Sequence, residues 1–133
     1  CAADRKRQID EIRARLHDGR PCRVVSTSLI EAGVDVDFPV AYREQCGLDS
    51  LLQTAGRCNR EGRNEPADSL VYRFRLDGQA APQMLAQNIS AMNYAARRHT
   101  DLSSPEAIKA YFNELFNLRS PDLLDKKHIL SMI

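Results

Sequence analysis

Apolar residues come in two rhythms along this chain. Ile9, Ile12 and Leu16 recur at helical spacing among charges, and Gly19 stands just beyond as a stop, so residues 4–16 are predicted to form a helix. Residues 23–26 then read as a short buried strand, ending in the hydroxyl run Ser26, Thr27, Ser28. Asp37-Phe38-Pro39 breaks the chain before a second strand at 40–43. A helix is predicted over 49–59, opened by Asp49 or Ser50, with Leu48 stapled against it and Leu51, Leu52 and Ala55 turned to a core. SLVYRFR at 69–75 alternates Leu70, Tyr72 and Phe74 as a third strand. Three strands with helices between them imply a parallel, right-handed α/β arrangement.

Beyond the small polar run DGQAA at 77–81 the rhythm is helical again. Residues 82–98 carry Leu85, Ile89, Met92 and Ala96 on one face. Ser103 with Glu106 reads as a capping box, with Pro105 in the first turn. It opens a helix whose stripe is Ile108, Tyr111, Phe112, Leu115 and Phe116, a core pattern before it is a base-stacking platform. Ser120-Pro121 opens a last short helix or turn that leads toward a further domain. Residues 1–76 are therefore expected to be one α/β portion and 77–133 a helical linker with the start of another domain.

Composition sets bounds on this picture. With 133 residues, 43% hydrophobic and 28% charged, the chain has the size and balance of one globular domain. A net charge of +1 gives no global pull toward nucleic acid, so any such binding is local. Cys1, Cys22, Cys46 and Cys58 contain no C-x-x-C pair, and His17, His99 and His128 are scattered. Reduced thiols in a cytoplasmic setting are expected, with no bound metal. No apolar run approaches the roughly 20 residues of a membrane span, and no signal peptide is visible. The chain opens at Cys1 with a helix and no strand before it, as a piece of a longer polypeptide would. Its incomplete sheet is expected to leave an unpaired edge and poor solubility in isolation.

Two polar clusters carry the candidate chemistry. On a helix over 49–59, Gln53, Gly56, Arg57 and Arg60 fall on one stripe. Two guanidiniums beside a glycine that admits another backbone suit a polyphosphate; a solvated Arg face is the plain alternative. Ser26, Thr27 and Ser28 lie at the C-terminal end of a strand, where α/β sheets bind ligands, and could hold a nucleic-acid phosphate without reading bases. Gly33 permits a tight turn, and Asp35 could accept from a ribose hydroxyl or hold Arg57. The plain alternative is a strand-to-helix turn with capping hydroxyls.

Together the two clusters resemble motifs V and VI of superfamily 2 helicases. STSLIEAGVDVDF and QTAGRCNREG are similar, in particular, to the CRISPR-associated helicase-nuclease of type I systems. The likeness runs over about residues 4–74, is weaker in SSPEAIKAYFNELF, and is thin past Leu118. It implies an α/β fold: a partial RecA-like (P-loop NTPase-type) parallel sheet with flanking helices, followed by a mostly helical segment. It further implies Arg57 and Arg60 as catalytic arginines; Gly33, Asp35, Gln53 and Gly56 facing the nucleotide; and Ser26, Thr27 and Ser28 on single-stranded DNA. ATP with Mg2+ would be held mainly by an N-terminal helicase lobe of the same protein. That protein would also carry a nuclease domain and work with a CRISPR RNA-guided surveillance complex, away from membranes. The chain has no G-x-x-x-x-G-K-[ST] loop, no acidic pair after a strand and no His/Asp metal cluster, so it is expected to supply half a site and to be inactive alone. Another superfamily 2 DNA or RNA helicase, or a RecA-like interaction module without enzymatic activity, would share these two motifs. A phosphate loop upstream would separate motor from module.

Overall fold

The computed structural model describes residues 2–30 and 33–119. Its elements are α1 (Ala2–His17), β1 (Ala41–Glu44), α2 (Leu48–Ala55), β2 (Val71–Phe74), α3 (Ala86–Ala96) and α4 (Pro105–Leu118). Single 3-10 turns lie at Ser28–Ile30, Pro66–Asp68 and Gln83–Leu85. The chain divides into two compact units: one takes residues up to 43 with 52–74, the other 44–51 with 75 onward.

In the first unit, α1 half-buries Ile9, Ile12 and Leu16, the stripe its spacing predicts. Its outer face is held by the ion pairs Arg7–Asp4, Arg13–Asp10 and Arg15–Glu11, three or four residues apart. Gly19 ends it at φ 65°. The Gly19 N–H reaches the Leu16 carbonyl and the Arg20 N–H the Arg15 carbonyl, at 3.2 and 2.9 Å, a Schellman closure that needs a left-handed residue. β1 and β2 form a two-stranded parallel sheet, joined at its start by the Ala41 N–H on the Leu70 carbonyl at 3.2 Å.

Two expectations for this unit need correction. Residues 23–26 are not a strand: they take no regular structure, and Val25 is fully exposed. A strand is stable only where neighbours take its N–H and C=O groups, and among the described residues none pairs with this segment. The sheet accordingly has two strands here, not three. The helix predicted over 49–59 stops at Ala55. Arg57 and Cys58 turn back in tighter bonds, to the carbonyls of Thr54 and Ala55, both at 3.0 Å. Asn59 then takes a left-handed φ of 49°. The turn is held by a parallel bridge between Phe38 and Cys58, in which Phe38 donates to the Arg57 carbonyl and accepts from the Asn59 N–H, both at 2.9 Å. Those long-range bonds outcompete about one more helical turn.

The second unit has the denser core. α3 and α4 pack on each other, burying Ile89, Ala91, Met92 and Ala95 from one helix and Ala107, Tyr111 and Leu115 from the other. Cys46 and Leu48 are buried as well. The α3 face is the predicted one with Ala95 in place of Ala96, and its first turn is a 3-10 turn. On α4 the buried line is 107, 111, 115, which leaves Phe112 and Phe116 outside, stacked on each other at 6.1 Å. Ser104, not Ser103, caps α4: its hydroxyl accepts the Ala107 N–H at 3.2 Å. Pro105 excludes helical geometry for the residue before it, so that residue becomes the cap. Ser103 instead donates its hydroxyl and its N–H to the Asp101 carboxylate, at 2.6 and 2.9 Å, which holds that acid below its ordinary range. The helix expected from Ser120-Pro121 lies outside the described residues.

Candidate functional site

The extended segment 33–38 and the turn 56–64 are knitted together in the first unit. Along an extended chain alternate side chains share a side. Val36 takes the inner one at 4% exposure, while Asp35 and Asp37 share the other. The Asp35 carboxylate pairs with the Arg60 guanidinium. Both side chains stay accessible, at 73% and 46% exposure. The Asp35 carbonyl accepts from Arg13 Nε at 2.7 Å, which ties α1 to the same segment. Asp37 accepts the backbone N–H groups of Arg60 and Glu61 at 2.7 and 3.3 Å, one carboxylate holding two consecutive amides. Below them Asn59 and Asn64 exchange side-chain to backbone hydrogen bonds of 2.8 and 2.9 Å, closing the loop. The Cys58 thiol, buried, lies 3.4 Å from the Pro39 carbonyl. Burial, and then the charge of Asp37, push it above its ordinary value.

The predicted site residues divide accordingly. Arg60 and Asp35 are brought together. Arg57 is half-buried, with its carbonyl engaged by Phe38. Neither arginine shares a helix stripe with Gln53, because α2 has already ended. Gly56 is exposed, and a Cβ there would meet only ordinary contacts of 3.5 and 3.6 Å, so no close backbone approach demands a glycine among the described residues. Gly33 does need its freedom, at φ 73°. Ser26, Thr27 and Ser28 are exposed, and the Thr27 carbonyl accepts from the Ile30 N–H at 3.3 Å, opening a 3-10 turn. They end an open segment, not a strand. Asp37 was the residue missed by pattern reading: its alternation with Asp35 across buried Val36 was the available signal.

An open groove of about 670 Å³ runs between the first turns of α1 and Gly33–Val34, lined by both signs of charge, Arg5, Lys6 and Arg13 with Asp4 and Asp10. It does not include Arg57 or Arg60. Among the described residues no three His, Cys, Asp or Glu side chains gather as a metal site, and no helix is long and apolar enough to cross a membrane.

Comparison with known proteins bears on these same segments. Residues 1–63 match the family described as CRISPR-associated nuclease/helicase Cas3, C-terminal. The chain is 49% identical over 47 residues to the CRISPR-associated nuclease/helicase Cas3 of Haloferax volcanii, covering 33% of this chain and 5% of that protein. It is 39% identical over 64 residues to the protein of the same description from Methanothermobacter thermautotrophicus, covering 48% of this chain and 7% of the relative. The chain therefore spans only a small part of the length of these relatives.

Proposed function

We infer, from the match of residues 1–63 to the family described as CRISPR-associated nuclease/helicase Cas3, C-terminal, that this chain is part of an ATP-dependent single-stranded DNA translocase of CRISPR interference. The observation that carries the reading is the exposed Arg60–Asp35 pair, which joins motif VI to motif V at one surface. An ion pair this open is worth no more than about 1 kcal/mol, so Arg60 can exchange its carboxylate for a phosphate at little cost. Asp35 meanwhile keeps the guanidinium extended and localised, which lowers the entropy lost when it meets that phosphate.

The rest of the geometry supports such a role by stiffening the Arg60 backbone. Asp37 holds its N–H and that of Glu61, and the Phe38–Cys58 bridge fixes the residues just before it. ATP with Mg2+, bound mainly by the N-terminal lobe, supplies the phosphoryl group whose cleavage drives movement. Arg60, with Arg57, stabilises the charge that builds up on that group, a contribution that can reach about 10³ to 10⁵ in rate. Gly33, Asp35, Gln53 and Gly56 frame the nucleotide side. Ser26, Thr27 and Ser28, all exposed, offer hydroxyls and amides to one DNA strand. The nuclease domain and the RNA-guided surveillance complex complete the assembly.

The test is Arg60→Ala in the longer protein, read as DNA-stimulated ATP hydrolysis. A loss of tenfold or more, about 1.4 kcal/mol, is expected. Hydrolysis within a few-fold of the parent removes Arg60 from the catalytic machinery.

A further inference from the structure

Asn59 is the one non-glycine among the described residues with a left-handed backbone, at φ 49°. Glycine meets that geometry at the least cost, so an asparagine in its place calls for a use of the side chain. That side chain, half-buried, engages a single residue. Asn59 Nδ2 donates to the Asn64 carbonyl at 2.8 Å, and Asn59 Oδ1 accepts the Asn64 N–H at 2.9 Å. A backbone carbonyl only accepts and an N–H only donates, so these partners fix which way the amide faces. The main chain of Asn59 is bound as well. Its N–H donates to the Phe38 carbonyl at 2.9 Å, and its carbonyl accepts the Gly62 N–H at 3.0 Å.

The loop closed in this way is 60–63, and it begins with Arg60. From outside it is held by Asp37, which accepts the N–H groups of Arg60 and Glu61. Successive amides converge on one acceptor only where the chain turns, since along an extended strand they point to opposite sides. The clamp between Asn59 and the backbone of Asn64 maintains that turn. An asparagine serving only its own backbone conformation would leave its amide to water. All of these residues belong to the first unit.

We propose that Asn59 is a positioning residue for Arg60: pairing its side-chain amide with the backbone of Asn64 keeps the loop 60–63 closed, so that the guanidinium stands at Asp35 before any ligand arrives. Only the consequence for hydrolysis rests on the function proposed above; the loop closure itself does not.

Two substitutions in the longer protein test it. Asn59→Gly removes the clamp and keeps the left-handed backbone, while Asn59→Asp keeps the acceptor for the Asn64 N–H, loses the donor and adds no glycine flexibility. Amide hydrogen exchange is followed in peptides covering 57–66, with β1 and β2 as the reference. Exchange in 57–66 should quicken on the order of tenfold in Asn59→Gly and by less in Asn59→Asp, with the strands unchanged. Asn64→Ala should match the parent, because what Asn59 grips there is backbone. Exchange in 57–66 that moves only in Asn59→Gly, or in neither variant, or no more than in the strands, overturns the proposal, since each makes Asn59 a backbone conformer or a general contributor to stability. In parallel, kcat of ATP hydrolysis should fall several-fold in Asn59→Gly while KM for ATP holds. An unchanged kcat there, where Arg60→Ala abolishes hydrolysis, overturns the positioning of Arg60. If Arg60→Ala leaves hydrolysis intact, the catalytic reading fails while the exchange result still decides the clamp.

Discussion

At the scale of single residues, Asp35 and Asp37 are two carboxylates one residue apart doing different work. Asp35 meets an exposed guanidinium, and Asp37 meets two backbone amides. Asp35→Ala should shift stability by less than about 1 kcal/mol, because the pair it removes is solvated. Asp37→Ala should cost more, on the order of 1–2 kcal/mol, because it strips a charged acceptor from two N–H groups at once. Denaturant midpoints of the two variants in the longer protein check the order. Cys58 offers a second test. Its folded-state thiol value is raised, so the stability it contributes is complete below the ordinary value of 9.0 and declines as pH rises through the raised one. For the same reason half-buried Cys22 should be alkylated well before Cys58 at pH 8, as peptide mapping after a timed iodoacetamide pulse would report.

At the scale of elements, helix ends decided more than helix interiors. The apolar spacing of α1, α3 and α4 was legible, since amphipathic faces bury themselves wherever a partner exists. The end of α2 was not legible, because a bridge from Phe38, far back in the chain, sets it. Ser104 shows the converse, a cap that local chemistry does reveal once Pro105 is read as forbidding helix at the residue before it. Ser104→Ala should therefore cost about 1 kcal/mol and Ser103→Ala distinctly less, measured by thermal unfolding. The opposite order would restore the capping box centred on Ser103.

At the scale of the whole molecule, the two units differ in how well each is filled. Among the described residues the second buries nine of the core side chains, Cys46, Leu48, Ile89, Ala91, Met92, Ala95, Ala107, Tyr111 and Leu115, and the first only Val36 and Cys58. The first also leaves Val40, Tyr42, Leu70, Tyr72 and Phe74 exposed, with Tyr42 and Tyr72 stacked at 5.1 Å. Apolar sheet surface of this kind promotes association. The isolated chain should therefore self-associate, and Tyr42→Lys with Tyr72→Glu should reduce it. Sedimentation at several concentrations checks both, and a monodisperse, cooperatively unfolding parent chain would contradict the expectation.

Local sequence determined which segments are helical, where β1 and β2 run, and which residue types cluster in two helicase-like motifs, because periodicity, glycine stops and proline exclusion act over a few residues. Tertiary structure decided the rest. It paired Arg60 with Asp35, gave Asp37 its two amides, denied 23–26 a strand and tied Tyr111 to Asp49. Each of these depends on which distant segment supplies the hydrogen-bond partner, and a linear pattern does not carry that information.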